Sequence, residues 1–184
     1  GDFLWSGRRR SDSDKMKNIV HFEPITPATY HKYIEVGTTA YDQHYLHLWP
    51  NQDSAPYILS SFTLGILKKE ELDKNTLLYL IKLNGVAVGI LKFTLNCKLG
   101  KYTEEEALYV DKIYIQNEFS GRGIGKKALQ FVLLRAKEIG KKIVWLDTMQ
   151  KGPALNFYLQ NGYEIFGERE VTLPTILEAE KNMY

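Results

Sequence analysis

Three glycines at alternate positions, Gly121, Gly123 and Gly125, stand among Arg122, Lys126 and Lys127, and the chemistry this composition suits is anion binding. A glycine backbone approaches a ligand closely and can turn successive N–H groups toward one point. The residues before it, Leu108 to Ile115, form an apolar run that reads as a strand. Those after it place Leu129, Val132, Leu133 and Ala136 on one helical face. The turn therefore opens a helix, whose first N–H groups are unpaired and whose dipole is positive at that end. This is a cradle for phosphate or pyrophosphate. It is not a P-loop, because Ser120 stands at the first glycine and Lys127 at the hydroxyl residue of Gly-x-x-x-x-Gly-Lys-Ser/Thr. Nor is it a dinucleotide fingerprint, which would require glycine at Lys126.

A second segment with chemical potential follows some thirty residues on: Ala154-Leu155-Asn156-Phe157-Tyr158-Leu159-Gln160-Asn161-Gly162-Tyr163. The loop Ser120-Gly121-Arg122-Gly123-Ile124-Gly125 resembles the acyl-CoA loop of the GNAT family of N-acetyltransferases, Gln/Arg-x-x-Gly-x-Gly/Ala, departing from it only at Ser120. The later segment resembles that family's Ala-x-x-Phe-Tyr-x-x-x-Gly-Phe/Tyr in order and spacing. The resemblance spans roughly residues 76 to 170.

It implies an α/β fold: a single-domain acetyltransferase with a mixed, mostly antiparallel sheet flanked by helices. It implies acetyl-CoA as acyl donor, no metal, and direct transfer of an acetyl group to a primary amine. That acceptor is a small molecule or a protein amino group. The loose similarity to bacterial small-amine enzymes through Phe62 to Leu72, the Leu77–Leu95 hairpin and Asp111-Lys112-Ile113-Tyr114 puts polyamines among the candidates. The implied donor site comprises the backbone of Ile113, Tyr114 and Ile115, the loop Ser120, Gly121, Arg122, Gly123, Ile124, Gly125 and Lys126, and Asn156.

For chemistry the resemblance points to Tyr158 as general acid, since a phenol of pKa about 10 stays protonated at neutral pH. The competing reading is a core tyrosine bonded to a backbone carbonyl. Asp111 is the candidate base. Strand alternation puts it on the face of Ile113, a bulge would reverse that, and an edge salt bridge is its competing role. His44 and His47, three apart among Tyr41, Tyr45 and Trp49, read as an aromatic wall or core packing and not as a metal site. A rival function keeps the cradle and makes Tyr158 and Asp111 dispensable: a catalytically silent acyl-CoA-binding sensor or interaction module.

The elements that must hold these residues follow from periodicity and turn chemistry. Val20 to Glu23 reads as a first strand. Thr26 caps a helix with Pro27 at its first position, ending near Gly37. Asp42 to Pro56 reads as loop, and a helix from Ser54 carries Ile58, Phe62 and Ile66. Leu77 to Leu83 and Val86 to Leu95 form a hairpin through Asn84-Gly85. Gly140 stops the long helix after the cradle, Ile143 to Leu146 is a buried strand, and Ala154 to Gln160 a helix stopped at Asn161-Gly162. Tyr163 to Gly167 and Asn182 to Tyr184 read as a closing strand pair.

Length and composition set limits on these readings. The chain has 184 residues, 44% hydrophobic and 25% charged, with a net charge of +2, which suits one soluble domain. The near-neutral charge argues against a broad nucleic-acid surface. No apolar run approaches a membrane span. The single cysteine, Cys97, admits no internal disulfide and fits the cytoplasm. Residues 1–16, with Arg8-Arg9-Arg10, read as a tail or mis-assigned start before Met16, and 17–184 as the N-acetyltransferase domain. A homodimer is compatible with this organisation.

Overall fold

The computed structural model describes residues 19–150, 152–167, 169–170 and 182–183; the tail expected over residues 1–16 lies outside them. The main sheet has five strands in the order of the chain: β1 (Val20–Pro24), β2 (Thr76–Leu83), β3 (Val86–Thr94), β4 (Ala107–Ile115) and β5 (Ile143–Trp145). β1 to β4 pair antiparallel, whereas β4 and β5 are parallel. The β2–β3 turn is made by Asn84 and Gly85, both with positive φ, at 51° and 84°, as a two-residue primed hairpin turn requires.

Helices cover both faces. One face packs under α1 (Tyr30–Tyr45), α2 (Ala55–Ser61) and α3 (Leu64–Leu72), burying Tyr33, Val36, Tyr41, Phe62 and Leu67 against Leu78, Leu80 and Ile90. The other packs under α4 (Ile124–Glu138), whose Ile124, Ala128, Val132 and Ala136 meet Ile81, Leu91, Phe93, Leu108 and Val110. A further helix, α5 (Pro153–Gln160), follows β5.

Three features depart from the sequence-based expectations. The first helix does not stop near Gly37 but runs to Tyr45, so most of the expected loop Asp42 to Pro56 is helix or short 3-10 turns at Leu46–Leu48 and Pro50–Gln52. Gly37 is there for packing: a Cβ on it would lie 2.5 Å from the ring of Phe62 and 3.0 Å from Ile90. The expected single helix from Ser54 is two, because Thr63 takes an extended conformation and its hydroxyl accepts from the N–H of Ile66, capping a new start.

The closing pair is also displaced. Residues 163–167 form no strand, and two residues later β6 (Arg169–Glu170) pairs with β7 (Asn182–Met183) in a separate two-stranded sheet. Apolar alternation gives β-character without naming a partner.

Candidate active site

β4 and β5 pair only through Ala107↔Ile143, Leu108↔Val144 and Tyr109↔Trp145, and beyond Tyr109 the two strands separate. Which backbone groups this exposes follows from the ladder on the other side of β4. The N–H of Gln116 donates to the carbonyl of Val88 on the β3 side, at 2.9 Å. Antiparallel ladders alternate, so Ile113 and Ile115 point their N–H and C=O groups away from β3, toward the gap. The Ile115 carbonyl confirms the direction: the Nε2 of His44 lies 2.7 Å from it. Gln43, also on α1, holds the next turn by accepting from the N–H of Asn117 and donating to Glu118. An extended amide-bearing chain could add to this edge as a strand does.

The edge leads directly into the glycine turn. Gly121 and Gly123 have φ of +76° and +73°, and nothing lies within 4 Å of where a Cβ on either would sit. Gly123 is the N-cap of α4, with no side chain capping it. The first helical bond is that of Lys127 N–H to the Gly123 carbonyl, which leaves the N–H groups of Ile124, Gly125 and Lys126 without a helical acceptor. Arg122, Lys126 and Lys127 surround them on an exposed surface. Arg122 lies over the Phe119 ring, at 5.7 Å. Ser120 does not face this cluster with its hydroxyl, which donates to the Asn117 carbonyl at 2.8 Å. Positive-φ glycines under open space, free N–H groups and flanking cations together fit a pyrophosphate.

Gly125 has a different task. A Cβ there would come 2.9 Å from Phe157, so the missing side chain admits the α5 ring against the start of α4. Phe157 thereby fixes the next residue, Tyr158. The Tyr158 ring packs against Phe157 and Tyr163, at 5.2 and 5.8 Å, and its hydroxyl makes no hydrogen bond to any described residue. Burial, with the neighbouring phenols of Tyr45 and Tyr163, raises its pKa well above that of a free phenol. Tyr158 also lines a groove of about 910 Å³ along β5 and α5, with Tyr109, Trp145, Leu155 and Tyr163. Asn156 is exposed on the same helix.

Asp111 sits on the face opposite the one that simple alternation gives. Lys92 pairs with Lys112 but Phe93 pairs with Val110, so Asp111 is the extra residue of a β-bulge. It shares a face with Lys112 and Tyr114, whereas Ile113 packs with the α4 side. Its Oδ2 accepts from Thr94 at 2.8 Å, and its Oδ1 lies 3.8 Å from Lys92. Burial raises its pKa, opposed by Lys92 and Thr94.

On that face α1 and α2 contribute a wall of aromatic rings. Tyr41 stacks on Tyr57 at 4.0 Å, Tyr45 meets Tyr114 at 5.8 Å, and the Tyr57 and Tyr114 hydroxyls are 2.7 Å apart. His44 belongs to this wall, while His47 is exposed. Among the described residues no three His, Cys, Asp or Glu side chains come together as a metal site. Sequence reasoning did not assign roles to His44 toward Ile115 or to Lys112. The former contact spans 71 positions and leaves no local signature.

Comparison with known proteins supplies the family and the fold. Residues 39–163 match the model of the acetyltransferase (GNAT) family. An uncharacterized N-acetyltransferase of Lactobacillus delbrueckii subsp. lactis is 24% identical over 128 residues, covering 66% of this chain and 74% of that protein. One from Methanocaldococcus jannaschii is 30% identical over 95 residues, covering 50% of this chain and 40% of its own length. Among solved structures, the PaiA N-acetyltransferase of Thermoplasma acidophilum in complex with coenzyme A superposes with a TM-score of 0.70. It covers 90% of this chain and 97% of that one at 15% identity. The glycine cradle, the open strand edge and the family match lead to one conclusion: this chain belongs to the GNAT family of acetyltransferases, enzymes whose acyl donor is acetyl-CoA.

Proposed function

We propose that the protein transfers an acetyl group directly from acetyl-CoA to a primary amine, with small alkyl amines such as polyamines and protein amino groups as the acceptor classes. The observation that carries this reading is the continuity of the open β4 edge with the unpaired N–H groups at the start of α4. Gly121 to Lys126 would hold the pyrophosphate. The outward N–H and C=O groups of Ile113 and the N–H of Ile115 would pair with the amides of the pantetheine arm. The thioester would then lie between the aromatic wall and α5.

The residues then divide the work. Tyr158, with a phenol raised above its ordinary pKa and free of hydrogen bonds to described residues, keeps its proton at neutral pH and donates it to the departing thiolate. Tyr45, Tyr57 and Tyr114 line the acceptor side, and their ring faces suit an alkylammonium on its way in. The acceptor nitrogen must lose a proton before attack. Asp111 faces that side, but Thr94 and Lys92 already hold its carboxylate, which favours a structural role over that of base. A screen of diamines, polyamines, amino acids and lysine peptides, reading free CoA thiol, tests the proposal. Acceptor-dependent thiol release supports it. Tight acetyl-CoA binding with no release from any amine would instead mark a silent acyl-CoA-binding module.

A further inference from the structure

Lys112 is a buried cation whose role the proposed transfer reaction does not require. It is 9% exposed, and its Nζ lies 4.8 Å from the Phe62 ring centroid and 5.6 Å from that of Tyr57. The carboxylates whose charge it feels are Glu70 on α3 and Asp111 beside it. Both lie against Lys92, at 2.9 and 3.8 Å, and neither comes within 4.0 Å of Lys112. The other titratable groups facing it are Lys92 of β3 and Tyr57 of α2; behind the rings, Tyr33 of α1 packs on Phe62 and Tyr114 of β4 meets the Tyr57 hydroxyl. The Lys112 amine therefore lies among aromatic rings and forms no salt bridge with a described carboxylate.

Its position gives it a chemical opportunity. Lys112 immediately precedes Ile113, whose backbone points to the open edge, and its side chain lies on the same face as Tyr114 and the aromatic wall. A chain added to that edge runs about 4.8 Å from β4, within reach of a flexible four-carbon stem. Desolvation, helped by Lys92 and opposed by Glu70 and Asp111, lowers its pKa to about 8, so a substantial fraction is neutral near physiological pH.

We propose that Lys112 is a self-acetylation site, an internal amine acetylated by the donor bound in its own cradle. This rests on the donor-site reading above. The neutral Nζ attacks the thioester carbonyl, the C–N bond forms as the C–S bond breaks, and the proton lost by nitrogen leaves with the CoA thiol. The products are one Nε-acetyl-lysine and one CoA, with no further reactant.

The test is to incubate the wild-type protein with acetyl-CoA in the absence of any amine, then to locate acetyl groups by peptide mass spectrometry. The same protein is assayed in parallel for acetyl-CoA binding by calorimetry and for thiol release with the amine panel. The expected result is one acetyl group at Lys112, accumulating at least about tenfold faster than on exposed lysines such as Lys68 and Lys126. The rate should rise from pH 6 to about 8 and level off above. It should be suppressed by a CoA analogue lacking the thioester, which would not block acetylation of surface lysines by free reagent. Lys112→Arg, checked for folding by circular dichroism, should lose that modification alone. Acceptor-dependent thiol release with Lys112 unmodified would overturn the proposal and leave the donor-site reading intact. Modification at the background rate of surface lysines would also overturn it. Failure of acetyl-CoA to bind would overturn both.

Discussion

Two neighbouring residues of one motif, Phe157 and Tyr158, divide structure from chemistry in the proposed reaction. Phe157 fills the space that Gly125 leaves, and Tyr158 beside it packs on Tyr163 and lines the groove along β5 and α5. Tyr158→Phe keeps the ring and deletes the donor, so turnover should fall roughly 10²-fold, the low end of general-acid effects, with little change in acetyl-CoA affinity. Steady-state kinetics with a good acceptor, together with calorimetry, separate the two quantities. Unchanged turnover would make Tyr158 a packing residue. For Asp111, held by Thr94 and Lys92, the expectation is the reverse. Asp111→Asn should lower the melting temperature while kcat/KM keeps its rise from pH 6 to about 8.5, the rise that amine deprotonation imposes. A displaced ascending limb would restore Asp111 as base.

At the scale of elements, local chemistry was legible wherever the backbone itself sets the rule. The Asn84-Gly85 turn, the glycine loop, the Gly140 stop and the β4–β5 succession follow from φ requirements and periodicity. What depends on the partner across a contact did not show. Gly37 resembles a helix stop, yet it is a site of close packing, and the Asp111 bulge has no sequence signature. His44 reaches Ile115 only because α1 continues past Gly37. A direct consequence is testable. Gly37→Ala would gain up to about 1 kcal/mol of helix propensity, but its Cβ would press on the buried Phe62 ring, at a cost of about 1–3 kcal/mol. Net destabilisation in a urea melt is expected, and with it weaker acceptor binding, since Phe62 and Tyr57 share one wall. A stabilised variant would show that the wall yields freely.

At the scale of the whole molecule, the described residues build a five-stranded main sheet whose last pairing stops early, with α1–α3 on one face and α4 on the other. The face of each helix layer is readable from its apolar spacing, but the gap between β4 and β5 is a property of the assembled sheet. In the proposed reading, that gap joins the glycine loop to the open strand edge as one donor site. The central claim is that this site holds acetyl-CoA with its pyrophosphate on the Gly121–Lys126 backbone, and calorimetric titration of Gly123→Val tests it most directly. A valine at φ of +73° costs roughly 1–2 kcal/mol of backbone strain and puts a side chain into the open space above the turn. The account predicts a folded protein, shown by an unchanged circular dichroism spectrum, whose acetyl-CoA affinity is weakened tenfold or more, about 1.4 kcal/mol. Wild-type affinity in the folded variant would contradict it.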